Sequence, residues 1–100
     1  MYFVNMKKDY KHPGGKLRRL GPSCCTDKEL LAIIINSGTK NLTAEQIAEK
    51  LLDKFGTVYN FAGKMLKELM EVEGIGAVKA TQIAAIFELT KRIIRHIESQ

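Results

Sequence analysis

The sequence is short of the residues that mark secreted, metal-binding or membrane-spanning proteins. It has no tryptophan, two prolines and two cysteines, the latter adjacent at Cys24 and Cys25. Neighbouring cysteines cannot tie distant segments together, which excludes a disulfide framework. With no Cys-x-x-Cys and no second cluster, they cannot complete a zinc shell either, and they read as small apolar side chains of a reduced protein. His12 and His96 are the only histidines and belong to no ligand cluster. No metal and no cofactor is therefore expected. No apolar run approaches the roughly 18 residues that cross a membrane. Met1–Tyr10 lacks the apolar stretch and small-residue cleavage site of a signal peptide. Together these absences predict a cytoplasmic protein with no membrane contact. Tyr2, Tyr10 and Tyr59 are scattered, so no platform for stacking single-stranded bases is expected.

What is present is the composition of one ordinary globular domain, 100 residues with 45% apolar and 27% charged content. The net charge of +5 is unevenly placed. Residues 1–20 hold six Lys/Arg against Asp9, whereas residues 21–100 hold ten basic and ten acidic residues. Residues 1–15, with their lysines and Pro13-Gly14-Gly15, read as a flexible basic arm. Residues 16–98 read as the folded domain, and its body from residue 21 onward is neutral.

The periodicity of that domain is helical throughout. Thr26-Asp27-Lys28-Glu29 has the form of a capping box and opens a helix over about 27–36. The run of isoleucines there would also suit a strand; the cap and the Lys-Glu-Leu-Leu-Ala segment decide for helix. A second capping box, Thr43-Ala44-Glu45-Gln46, opens an amphipathic helix with Ile47, Ala48, Leu51, Leu52 and Phe55 on one face. Gly56 stands where a glycine stop belongs. A short helix is expected near Val58–Ala62, and another over about 64–71 with Met65, Leu66, Leu69 and Met70 inward. A long one should run from Ala77 to Ile97, with Ile83, Ile86, Phe87, Thr90, Ile93, Ile94 and Ile97 in a stripe. The reading is all-α, about four helices plus one short helix.

Residues 27–55 and 64–95 echo each other as helix, glycine-bearing loop and longer helix, which predicts two helix-hairpin-helix units. Gly74-Ile75-Gly76 links the second pair. Glycines there permit a tight turn while Ile75 plugs the core. The same turn leaves backbone N–H groups bare at the next helix start, where a phosphate can bind. The candidate DNA-contacting residues are Gly74, Ile75, Gly76, Ala77 and Lys79, with Gly38, Thr39 and Lys40 of the first loop. Glu71 and Glu73 flank the second turn and oppose a phosphate. No nucleophile, base and orienting group are recognisable together, so no catalytic residue is assigned and no enzyme is expected.

The ordered set Lys16-Leu17, Gly21-Pro22, Thr26-Asp27, Glu29-Leu30-Leu31-Ala32-Ile33, Gly38-Thr39-Lys40, Phe55-Gly56, Gly74-Ile75-Gly76 and Lys79-Ala80 resembles the N-terminal domain of RadC-like proteins. The resemblance covers about residues 16–95. It implies a helix-hairpin-helix module that, in that family, precedes a metal-binding domain of the JAB1/MPN type. The His-x-His…Asp motif of that second domain has no match here. The family's name is tied to DNA repair, so the resemblance implies weak binding to DNA backbone. Another expectation is a protein-interaction or regulatory module, docking on a JAB1/MPN-type domain or self-associating. Ile93, Ile94 and Ile97 are its candidate surface, because the stripe outruns what two hairpins need. The neutral body favours this second expectation.

Overall fold

A computed structural model describes residues 12–61 and 63–100. Among them are five α-helices: α1 (Pro13–Leu20), α2 (Asp27–Ile35), α3 (Ala44–Phe55), α4 (Leu66–Met70) and α5 (Ala77–Glu98). Short 3-10 turns occupy Pro22–Cys24 and Val58–Phe61. The fold is all-α, with no strand among the described residues.

Local chemistry starts α2 and α3 as their sequences predict. The Thr26 hydroxyl accepts from the Glu29 N–H at 3.1 Å, and the Glu29 carboxylate accepts from the Thr26 N–H at 2.9 Å. Thr43 and Gln46 make the same reciprocal pair at 3.1 and 2.8 Å. Each satisfies amide groups that a helix start leaves without partners. Gly56 closes α3, its N–H donating to the Leu52 carbonyl at 2.7 Å.

The core gathers Leu31, Ala32 and Ile35 from α2 with Ile47, Ala48 and Leu51 from α3. Phe61, Leu69, Val72, Ile75, Ala80 and Ile83 complete it. Phe61 is the largest buried side chain and meets Phe55 and Phe87 edge to face, at centroid distances of 5.4 and 5.6 Å. It ties the 3-10 turn to both long helices.

Three differences from the sequence reading have physical causes. The basic arm expected over residues 1–15 lies outside the described residues as far as Lys11, and Pro13-Gly14-Gly15 form the first turn of α1. Proline suits a first helical position, and the helix is tethered by the Lys16 ammonium, 3.0 Å from the Glu29 carboxylate. In α4 only Leu69 points inward; Met65, Leu66 and Met70 are exposed. A five-residue helix presents a single inward row, and Met65 has extended backbone before it begins. Finally, Cys24 is exposed and Cys25 half-buried. Only the second is therefore partly shielded as a small side chain.

α5 is 22 residues long, roughly 33 Å at the α-helical rise. Its first half packs through Ala80, Ile83 and Phe87. Its second half runs on with Leu89, Ile93, Ile94 and Ile97 exposed.

Candidate functional site

The second hairpin turn is built by backbone bonds from Val72 to Leu69 and from Ile75 to Val72, the latter at 3.0 Å. Gly74 takes φ +94°, a conformation in which side-chain-bearing residues are strained. A Cβ placed there would also lie 2.7 Å from both Cγ1 and Cδ1 of the fully buried Ile47. Gly74 is thus required by packing, and Ile75 is buried beneath it.

Gly76 is different. Its φ of −93° and ψ of −171° are ordinary extended backbone. A Cβ there would meet nothing within 4 Å. Gly76 is the N-cap of α5, and no side chain caps this helix. The first intrahelical bond is that from the Ala80 N–H to the Gly76 carbonyl. The N–H groups of Ala77, Val78 and Lys79 precede it and point along the positive end of the helix dipole. Ala77 and Val78 are exposed, and Lys79 is half-exposed beside them.

The acidic neighbours of this turn are paired. The Lys54 ammonium lies 2.7 Å from the Glu71 carboxylate, and that of Lys50 lies 3.7 Å from Glu73. The hydrogen bond from Lys54 holds the Glu71 carboxyl below its ordinary range, assisted by the charges of Lys54 and Lys67. Both pairs are exposed and stabilise the fold little. Their consequence is local: the two carboxylates do not leave an unopposed negative field at the start of α5. Lys50 and Lys54 were not candidates from sequence. Their signal is the four-residue lysine spacing on the exposed face of α3, which becomes meaningful only once α3 is packed beside the turn.

The first loop is closed on itself. Asn36 adopts φ +71°, and the Ser37 N–H bonds to the Ile35 carbonyl at 2.8 Å. A Cβ on Gly38 would lie 2.0 Å from the Leu42 carbonyl oxygen, so only glycine fits. The Thr39 hydroxyl accepts from the Asn41 and Leu42 N–H groups at 3.4 and 3.2 Å. The Thr39 N–H is itself bonded to the Leu42 carbonyl at 2.8 Å. Several of the loop's amides are therefore consumed internally, and the loop presents Lys40 as an exposed side chain. It borders a shallow groove of about 540 Å³ that also touches His12, Asn36 and Glu45.

Gly74 against Ile47 sets the second turn beside the first turn of α3, directly after the first loop. The first loop, with Gly38–Lys40, leads into the N-terminus of that helix, and Gly74–Lys79 follows the turn that packs on its first turn. Ile93, Ile94 and Ile97 are not part of this group; they lie about 25–30 Å further along α5. Among the described residues, no three His, Cys, Asp or Glu side chains cluster as metal ligands. No helix there is long and apolar enough to cross a membrane.

Comparison with known proteins covers nearly the whole chain. The family model described as UPF0758 N-terminal matches residues 5–81. A UPF0758 protein of Lactococcus lactis subsp. cremoris is 40% identical over 93 residues, which are 93% of this chain and 41% of the relative. One from Aliivibrio salmonicida is 36% identical over 94 residues, 94% of this chain and 42% of that protein. One from Streptococcus agalactiae serotype Ia is 36% identical over 93 residues, 93% and 41% of the respective chains. The chain thus spans about two-fifths of the length of these curated relatives. No solved structure matches it.

Proposed function

The chain belongs to the UPF0758 family, the RadC-like family, of whose members it covers the N-terminal part, and on that premise we propose that it is a non-enzymatic cytoplasmic module that binds DNA weakly through the phosphate backbone. The observation that carries the reading is Gly76. Neither backbone conformation nor packing requires glycine there. Serine or aspartate would cap α5 better than glycine does. A glycine without a steric reason, at an uncapped helix start, leaves room for a bulky anion to reach the Ala77, Val78 and Lys79 amides. Lys79 adds a cation, and Lys50 and Lys54 offset Glu73 and Glu71. Lys40, exposed on the loop before α3, offers a further cation. Such contacts fix position and carry no sequence information, so binding is independent of sequence.

A salt series of DNA titrations on the full chain and on a version lacking residues 1–11 tests this. The truncation stops short of α1, which begins at Pro13. Two or three phosphate contacts predict a log–log salt slope of about −2 to −3 for the truncated form. Binding that disappears with the arm would assign it to the arm and remove the hairpin from the account. An absence of binding to duplex and junction DNA at ~50 mM salt would end the proposal altogether.

A further inference from the structure

The outer half of α5 carries a second, unrelated feature. Leu89, Ile93, Ile94 and Ile97 are 59%, 60%, 48% and 62% exposed on one helix end. Ile83, Ile86, Thr90, Ile93 and Ile97 follow the alternating three- and four-residue spacing of a coiled-coil seam. Phe87 and Ile94 flank it on one side and Leu89 on the other. The inner part of the seam is occupied, since Ile83 is buried and Ile86 and Phe87 are half-buried. The outer part is open. The charges of this stretch lie off the seam, and the Glu88 carboxylate is held by Arg92 at 3.0 Å and Lys91 at 3.7 Å.

We propose that this seam pairs with the same seam of a second copy, antiparallel, about a twofold axis between Lys91 and Arg92. That register sets Ile86 against Ile97 of the second copy and Thr90 against Ile93. Three observations support it. The pairs of the open seam are apolar except at Thr90, and the Thr90 hydroxyl already donates to the Ile86 carbonyl at 2.9 Å. Pairing therefore strands no polar hydrogen. At the inner end of the seam a largely apolar groove of about 140 Å³ opens between α2 and α5, lined by Leu30, Ile34, Val58, Ile83, Ile86 and Phe87, with Asp27 its one charged residue. It lies where Ile97 of the second copy arrives and has room for one branched aliphatic side chain. Lastly, the four exposed side chains of each copy, with the groove walls, bury on the order of 1,000 Å² in total, the lower limit for a specific pair. An interface of this size makes a weak, reversible dimer.

Sedimentation equilibrium of the full chain, from the low micromolar range to several hundred micromolar, reads this directly. The expected average mass rises with concentration from 11.2 kDa towards twice that value. Ile93→Asp and Ile97→Asp act on exposed side chains, so helicity and melting should stay as in the parent while dimerisation weakens at least thirtyfold. Register is checked in a Cys24→Ser, Cys25→Ser background. Ile86→Cys mixed with Ile97→Cys should form an intermolecular disulfide. Ile97→Cys alone should not, because the two copies of that position lie ~16 Å apart along the axis. A strict monomer throughout, a dimer indifferent to both aspartates, or ready cross-linking of Ile97→Cys with itself would each overturn the proposal.

Discussion

Gly74→Ala tests the hairpin's architecture most sharply. The substitution adds one carbon at a residue with φ +94°. A side-chain-bearing residue held in that left-handed region costs about 1–2 kcal/mol. The new Cβ would also stand 2.7 Å from two carbons of Ile47. Ile47 is fully buried and cannot swing aside freely. Overpacking of this kind costs typically 1–3 kcal/mol. The combined loss is about 2–5 kcal/mol, and at roughly 4–8 °C per kcal/mol for a domain of this size the melting temperature should fall by about 8–40 °C. Gly76→Ala, whose added carbon would meet nothing within 4 Å, should change stability by about 1 kcal/mol or less, because alanine is the poorer N-cap but has less backbone entropy to lose. Urea unfolding followed by helical circular dichroism would measure both. The clash also predicts coupling: with Ile47→Ala present, Gly74→Ala should cost at least ~1 kcal/mol less than it does alone. If Gly74→Ala and Gly76→Ala proved equally mild, or if the Ile47 cycle were additive, the packing account of the turn would be wrong.

Other outcomes follow from single interactions. Thr43→Ala removes the hydroxyl that accepts from the Gln46 N–H and should destabilise by about 1 kcal/mol in the same urea experiment. Phe61→Ala empties the site shared with Phe55 and Phe87 and should cost about 3–5 kcal/mol, enough to leave little folded protein. The Thr26 N–H, and after it the Lys16 ammonium, hold the Glu29 carboxyl below its ordinary value of 4.5. A carboxyl lowered by folding binds its proton more readily in the unfolded chain. Its stabilising contribution is complete above 4.5 and is lost as pH falls through the lower folded value. Stability measured from neutral pH downwards should therefore decline less steeply in Glu29→Gln than in the parent.

Much of this fold is written in short-range signals. Thr26 with Glu29, and Thr43 with Gln46, announce helix starts because both partners of each bond lie within three residues. Gly56 ends α3, and α5 begins directly after Gly76, for equally local reasons. What was not legible depends on partners far along the chain. Pro13-Gly14-Gly15 reads as part of a flexible arm, and the ion pair that anchors α1 joins Lys16 to a residue thirteen positions away. The inward row of α4 narrows to Leu69 because the helix is shorter than its apolar residues suggest.

The candidate site divides in the same way. Gly74 and Gly76 look equivalent in sequence. Only the approach of Ile47 shows that packing requires the first and not the second. The apparent repulsion from Glu71 and Glu73 likewise changes meaning once Lys54 and Lys50 stand beside them. Gly38 is a candidate contact, and its position against the Leu42 carbonyl gives it a structural purpose besides. Lys40 remains the exposed group that this loop offers.

The central claim, that the uncapped start of α5 receives a DNA phosphate, turns on Gly76. Fluorescence anisotropy of a labelled duplex at ~50 mM salt should compare the parent with Gly76→Ala and Gly76→Glu, a tenfold change in affinity corresponding to about 1.4 kcal/mol. Gly76→Ala adds a carbon that touches nothing, whereas Gly76→Glu sets a carboxylate over the amides where the phosphate would lie. The account predicts a modest loss for the alanine variant, whose methyl group intrudes on the space the anion uses, and a loss of tenfold or more for the glutamate variant, with the melting temperature nearly unchanged in both. Equal affinity for all three forms would contradict it.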